Sequence, residues 1–393
     1  MIDVILTLNA GSSSIKFAAY RIDGGQLLAL ASGMVDGIGG AATFSAAVQG
    51  GAADKRPVAA AGPVDHHAAL GAVMDWLERS EQGFRVIAVG HRVVHGGPDF
   101  DQPILIDAAL LARLRGFSPL APLHQPHNLA GVEAALHAFA QAPQVACFDT
   151  AFHRNHPAVY DTYGLPRRFY DEGIRRYGFH GLSYEFIARR LRVVAPDLAG
   201  GRVVVAHLGN GASMCAMRAG RSVASSMGFT ALDGLPMGTR CGQIDPGVLL
   251  YLMQGQGMSA QAVSDLLYKD CGLKGMSGLS NDMRALQACS DPAARQAIDY
   301  FVARIRQEIG SLAATLDGLD AVVFTGGIGE NARDIRAGVL RGMEWLGIQL
   351  DAGANARNAP VISAPQSRTR ALVVPTDEER MIAEHTANMT GLL

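Results

Sequence analysis

The chain has 393 residues, 49% of them hydrophobic and 18% charged, with a formal net charge of −2. That length suits two domains and that composition suits an ordinary folded soluble protein. With no basic run, nucleic-acid binding and polybasic membrane anchoring have no footprint. No apolar run reaches membrane-spanning length, and Asp3 stands where a signal peptide would carry positive charge. Cys147, Cys215, Cys241, Cys271 and Cys289 are far apart, with no C-x-x-C pair. They point to free thiols in a reducing cytoplasm rather than a disulfide framework or zinc site.

The first element, "VILTLNAGSSSIKF", reads as an apolar strand, a Gly-Ser turn and a second strand, a β-hairpin. Its turn lets backbone N–H groups, the hydroxyls of Ser12 and Ser14, and Lys16 approach a phosphate. It lacks the ending of a P-loop. The stretch from Gly37 to Ala61 reads as hairpin and loop. "DHHAALGAVMDWLERS" reads as a helix with Asp65 as N-cap and Leu70, Val73, Met74 and Leu77 on one face. "VIAVGHRVVHGG" and "QVACFDTAF" read as buried strands, with Arg92 and Asp149 at their ends. "RVVVAHLGNGASMCAM" repeats the hairpin plan, and two hairpins half a chain apart suggest a duplicated architecture. Arg240 lies in the turn-rich "GLPMGTRCGQIDPG", where it could grip a carboxylate or phosphate, or form a structural ion pair. "AIDYFVARIRQEIGSLAATL" is the longest helical pattern, with Ile298, Phe301, Ile305, Ile309, Leu312 and Leu316 in register.

"DAVVFTGGIGENA" is a third strand running into a glycine turn, followed by a helical pattern through Ile335, Val339, Met343 and Leu346. Gly327 to Ala332 also satisfies the G-x-G-x-x-A dinucleotide fingerprint, which keeps an NAD-dependent oxidoreductase as a rival. Only 61 residues follow Ala332, too few for a comfortable Rossmann remainder. No histidine shows H-E-x-x-H or Cys/His zinc spacing. Strands alternating with helices imply an α/β fold with sites at strand ends.

Together "NAGSSSIKF", "GHRVVHGG", "SPLAPLHQPHN", "FDTAFH", "YGFHGLS", "HLGNGAS", "SMGFTALDGLPMGTRCGQIDPG", "GMSGLSNDMR", "FTGGIGENA" and "PTDEE" resemble, in order, the motif series of acetate kinases. The resemblance covers residues 4 to 385. It implies the duplicated α/β fold of actin and the sugar kinases, with an active-site cleft between two domains. One domain would be residues 1–150 plus 381–393. The other would be residues 151–380, with hinges near Asp149–Phe152 and Pro375–Glu379.

The implied activity is reversible, Mg²⁺-dependent (Mn²⁺ serving in its place) transfer of the ATP γ-phosphoryl to acetate, giving ADP and acetyl phosphate. A propionate or other short-chain carboxylate kinase, or a nucleotide-binding ATPase switch, are the alternatives. By the same resemblance the protein is a cytoplasmic homodimer, with no nucleic-acid or membrane partner.

The resemblance also assigns residues. Asn9 and Glu378 stand at the Mg²⁺ positions. Ser12, Ser14 and Lys16 form one phosphate segment and His207, Leu208, Gly209, Asn210 and Gly211 the other. Asp282, Met283 and Arg284 stand on the adenosine side, as do Gly327, Ile328, Gly329, Glu330 and Asn331. Arg92 takes the substrate carboxylate, with Val94, Leu123 and Phe179 around its methyl group. Asp149, His180 and Arg240 are catalytic, and His124 is auxiliary.

A carboxylate acceptor with a pKa of about 4.3 is already ionised at neutral pH. Asp149 therefore has no proton to remove, and positioning an arginine or water-bound metal is its expected work. Ala231 replaces a proline common in the family beside the acyl pocket, which admits another methylene. Tyr184, Gln243 and Asp377 depart from the family pattern as well.

Overall fold

The computed structural model describes residues 1–59, 62–80, 83–122 and 124–393. The chain divides into two units, residues 1–154 with 377–393, and residues 155–376.

In the first unit, β1 (Ile2–Ala10), β2 (Ser14–Asp23), β3 (Gln26–Asp36), β4 (Thr43–Val48) and β5 (Asp54–Pro57) form an antiparallel run. β6 (Phe84–Val93) lies parallel to β1, and β8 (Gln144–Phe148) parallel to β6, with β7 (Ile104–Leu105) at the edge. The sheet order is β5-β4-β3-β2-β1-β6-β8-β7. Strand side chains alternate between faces. Val4, Leu6 and Leu8 therefore point to the core that holds Phe17, Phe44 and Trp76 and the helix His66–Arg79. Ile5, Ala18, Tyr20 and Ala88 point the other way, onto Ala383 and Ala387 of the C-terminal helix Glu378–Met389.

Asp65 caps the helix His66–Arg79 by accepting from Ala68 N–H at 2.8 Å, as its sequence suggests. Trp76 joins the buried face while Met74 is half-buried. The stretch read as hairpin and loop from Gly37 supplies β4 and β5, which widen the sheet.

In the second unit, β9 (Arg202–Leu208), β10 (Ala212–Arg218) and β11 (Arg221–Ser225) are antiparallel. β12 (Ala321–Thr325) and β13 (Arg370–Val373) continue parallel to β9. The order is β11-β10-β9-β12-β13, the same 3-2-1-4-5 arrangement as β3-β2-β1-β6-β8. The duplication suggested by two hairpins thus extends to five strands in each unit.

The helix Pro292–Thr315 buries Ile298, Phe301, Ile305, Ile309 and Leu312 in the expected register. The later pattern stops sooner than expected. The helix Arg333–Leu340 ends before Gly342, whose φ of +73° breaks it, and Met343 is buried from the turn beyond. A mixed sheet that begins with a hairpin is not the parallel sheet of a Rossmann domain, so the oxidoreductase rival falls. No disulfide joins the cysteines. Among the described residues no helix is long and apolar enough to cross a membrane.

Candidate active site

In the first unit, strand alternation decides the chemistry. Residues 88, 90 and 92 of β6 share one face, and Gly90 lies directly beneath the C-terminal helix. A Cβ there would stand 2.2 Å from Thr386 Oγ1 and 2.5 Å from Ile382 Cγ2. The same alternation sends Arg92 to that face at the strand end. Asn9 pairs with Lys16 across β1 and β2, so both project on one side.

The Arg92 guanidinium grips Asp149 through Nε to Oδ1 at 2.9 Å and Nη2 to Oδ2 at 2.6 Å. Its Nη1 donates to Asn9 Oδ1 at 3.3 Å. Asp149, just past β8, is 1% exposed, so this is a desolvated pair. Burial opposes the charge on Arg92, yet Asp149 and Glu378 together hold its pKa above the ordinary value. Glu378, in the first turn of the C-terminal helix, has its pKa raised by burial, with Arg92 pulling it down and Asp149 pushing it up. Lys16 also acts on Glu378. Asn9, Lys16, Arg92, Asp149 and Glu378 are thereby brought together.

Ser12 and Ser14 lie in and beside the β1–β2 turn, which closes by Gly11 N–H to Ser14 O at 2.7 Å. Val94 is buried, and its N–H donates to Asn128 Oδ1 at 2.9 Å. His124 stands at the N-cap of the helix Gln125–Ala138. Leu123 lies outside the described residues. Asp377 caps the C-terminal helix by accepting from Arg380 N–H at 2.9 Å, so its extra charge also has a structural use.

In the second unit His180 begins the helix Gly181–Val194 with φ +57°, a left-handed conformation uncommon outside glycine. This turn lays its ring on His207, with centroids 4.4 Å apart and planes 16° apart. Its Nδ1 bonds Ser213 Oγ at 2.8 Å, and Tyr184 OH meets the same hydroxyl. Ser183 Oγ holds His207 Nδ1 at 2.8 Å.

Arg240 Nη1 donates to Ala231 O at 2.8 Å. A Cβ on Gly211 would lie 2.9 Å from Arg240 Nη2 and 3.3 Å from His180 Nε2. Both groups therefore converge on the glycine loop, and a side chain at position 211 would make them shift. Phe179 is buried beside His180 in the chain. Gln243 accepts from Arg304 Nη2 at 2.6 Å.

Beside this cluster is a cavity of about 590 Å³, a size that suits a small-molecule ligand. Gly209 and Asn210 line it, as do Asp282, Met283 and Arg284, and Gly327, Ile328 and Asn331. Three segments separated by up to 118 residues form one wall system. Asn281, Gln287 and Ala332 complete it; the sequence singled out Ala332 only as the end of the dinucleotide fingerprint, and Asn281 and Gln287 not at all.

Gly329 and Glu330 do not line the cavity. The Glu330 carboxylate accepts from Gly326 N–H at 2.8 Å and Thr376 N–H at 3.2 Å, bracing the loop from behind. Leu208 is fully buried. Arg336 is another brace that sequence reasoning missed. It is fully buried and donates from Nη1 to the carbonyls of Gly329 and Glu330 at 2.9 and 2.8 Å. In sequence it is one arginine on a helix and carries no signal. Asn128 and Gln125, which hold the Arg92–Gly97 loop, were quoted only as parts of a motif.

Residues 4–384 match the profile of the Acetokinase family. An acetate kinase from Methylocella silvestris is 57% identical, covering 97% of this chain and 96% of its own. The crystal structure of Porphyromonas gingivalis acetate kinase is 36% identical, with a TM-score of 0.89 over 99% of this chain and all of that one. The crystal structure of a propionate kinase from Francisella tularensis is 35% identical, with a TM-score of 0.91 over the same shares. Expectation from motifs, repeated sheet topology and likeness across the whole length agree: the chain belongs to the acetokinase family, kinases built on the two-domain actin and sugar-kinase fold.

Proposed function

We infer that the protein is an acetate kinase, moving the ATP γ-phosphoryl in line to acetate with no phosphoenzyme, reversibly. The observation that carries this reading is the state of Arg92. Of its five N–H groups, three are engaged by Asp149 and Asn9. Two remain to hold an acceptor carboxylate, and a plain ATPase has no use for them. The nucleotide occupies the 590 Å³ cavity, with the hydroxyls and Lys16 of the β1–β2 turn and the loop His207–Gly211 serving its phosphates.

The residues present fit Mg²⁺. Among the described residues no group of three or more His, Cys, Asp or Glu side chains is placed to hold a metal. Mg²⁺ is usually held by one or two protein oxygens, with water and phosphates completing the shell. Asn9 and Glu378 supply hard oxygen donors, which suit Mg²⁺ or Mn²⁺, and burial leaves the Glu378 carboxylate in want of a cation. The ion would neutralise phosphate charge.

The chemistry left to the protein is positioning and charge compensation. An anion brought to about 4 Å of a phosphate charge meets about 4 kcal/mol of repulsion at an effective dielectric of about 20. Arg92 offsets this for the acceptor. Arg240 and His180 serve the equatorial oxygens in flight, where charge stabilisation has the greatest effect. Asp149 does not act as a base: the acceptor is ionised, and its own oxygens are occupied by Arg92.

Val94, Leu123, Phe179 and Ala231 remain the candidates that the motif resemblance assigns to the substrate methyl group, with His124 auxiliary. The Ala231 side chain leaves room for propionate, and each methylene is worth only about 1–3 kcal/mol of discrimination. A hydroxamate assay with ATP and acetate, propionate and butyrate tests the whole reading. Turnover on the first two is expected, and no hydroxamate from any of the three would end it.

We place the homodimer on the helix Pro246–Gln254, where Val248, Leu250 and Tyr251 are 40%, 51% and 62% exposed. Sedimentation should show a dimer that Tyr251→Glu weakens; an unaltered dimer rejects this face.

A further inference from the structure

A second cavity in the same unit takes no part in the reaction just described. Its volume is about 1060 Å³, and it runs between the helices Pro292–Thr315 and Arg333–Leu340. Its floor is apolar: Ile298, Val302 and Met343 line it, and Gly338 lets the two helices close. A Cβ on Gly338 would already stand 3.3 Å from Val302.

The two ends differ in charge. At one end Arg306 and Arg341 line the cavity beside Trp345, whose surface is 67% exposed. Arg306 lies over the backbone next to Arg341: a Cβ on Gly342 would be 3.1 Å from its Nη2. Neither arginine has an ion-pair partner among the described residues. Toward the other end are Asp334 and the Arg295–Asp299 pair, closed at 3.0 Å. Seven residues of helix separate Asp299 from Arg306, about 10.5 Å at 1.5 Å per residue. Gln287 lines both this cavity and the nucleotide cavity.

Two unpaired guanidinium groups beside an open indole select an anion attached to a flat ring. Guanidinium takes phosphate through two N–H groups, and indole offers a stacking face. Carboxylates about 10 Å away accept from hydroxyl or amino groups. We propose that this cavity is a second, regulatory site for a nucleoside monophosphate, with phosphate on Arg306 and Arg341 and the ring against Trp345. Through the shared wall at Gln287 its occupant alters nucleotide affinity in the neighbouring cavity. The binding readout does not depend on the reaction assigned above.

The test uses the full-length protein with Mg²⁺·ADP held at saturation and cytidine 5′-monophosphate as the probe. Binding is followed by tryptophan fluorescence, with Trp345→Phe as the control for signal origin. The site predicts saturable quenching that Trp345→Phe abolishes. It also predicts at least a tenfold weaker apparent Kd in the double variant Arg306→Gln/Arg341→Gln, whose melting temperature stays within a few degrees of the parent. In a separate ADP titration with and without the probe, a twofold or greater shift in ADP affinity supports the coupling, and an unchanged affinity overturns the regulatory role. Quenching that excess ADP displaces places the probe in the nucleotide cavity and overturns the proposal. So does equal affinity in the double variant, or inorganic phosphate binding as tightly as the probe.

Discussion

At the scale of single residues, the deciding contact is the buried Arg92–Asp149 pair. Removing one partner of a fully buried pair costs about 3–5 kcal/mol, an upper bound here because the Arg92 side chain is 19% exposed and Glu378 also faces its charge. Asp149→Asn should therefore lower stability by less than that in chemical denaturation and cut turnover, while the limbs of the pH–rate profile stay as in the parent. A limb in the parent's pH–rate profile that Asp149→Asn removes would restore the base role. His180 offers a cleaner variant. Asparagine tolerates its left-handed backbone, so His180→Asn removes the imidazole with the turn intact. A loss of about 10²–10³ in kcat, the range for one transition-state donor, is expected, with ATP affinity unchanged by calorimetry.

His91 reports on acid stability. It is buried, bonded to Gln144 Oε1 at 2.7 Å, and burial pulls its pKa down to about 4. The unfolded value is about 6.5. Between the two the unfolded chain binds the extra proton, so stability present above pH 6.5 is lost as pH falls through 4. About 3 kcal/mol is involved at 1.36 kcal/mol per unit. His91→Leu should flatten the stability–pH slope over that window by close to one proton. An unchanged slope would place the acid sensitivity elsewhere.

At the scale of elements, the two hairpins and the strand ends were legible because apolar runs broken by Gly-Ser or Gly-Asn turns have few other readings. The helix Pro292–Thr315 was legible because its apolar residues keep helical spacing over six positions. β4 and β5 were legible only as a hairpin somewhere within residues 37–61, since "TFSAAV" and "DKRP" are weakly patterned; β4 gains its order by pairing with β3, and β5 at the sheet edge by pairing with β4. The bracing roles, including that of Glu330, which the motifs had placed on the adenosine side, were invisible for a different reason. Asn128, Gln125, Glu330 and Arg336 act by side-chain bonds to distant backbone, which no local spacing announces.

The C-terminal helix belongs to this scale too. Gly90 allows it to lie on β6 and so sets where Glu378 stands. Gly90→Ala drives a methyl group into Thr386 and Ile382, an overpacking cost of about 1–3 kcal/mol. The expected result is a lower melting temperature together with a higher Mg²⁺ requirement in the kinase assay. A variant that loses stability but keeps its Mg²⁺ dependence would separate the helix seat from the metal position.

At the scale of the molecule, the repeated 3-2-1-4-5 sheet explains why the functional residues fall into two sets. Every residue lining the nucleotide cavity belongs to the second unit. The Arg92 cluster, with Glu378 returning from the C-terminus, belongs to the first. The sequence carried most of both sets through ten ordered motifs. It left open whether Asp149 positions an arginine or a water-bound metal, and the packing of β6 against β8 brings Arg92 onto it.

The division of labour gives the most direct test: acetate-dependent acetyl phosphate formation by Arg92→Ala and Arg240→Ala, with ATP affinity measured on the same samples. The account predicts that each variant loses about 10² or more in kcat/KM, the scale of a lost transition-state donor. ATP affinity in Arg92→Ala should stay within threefold of the parent. Turnover at the parental rate in either variant would contradict it.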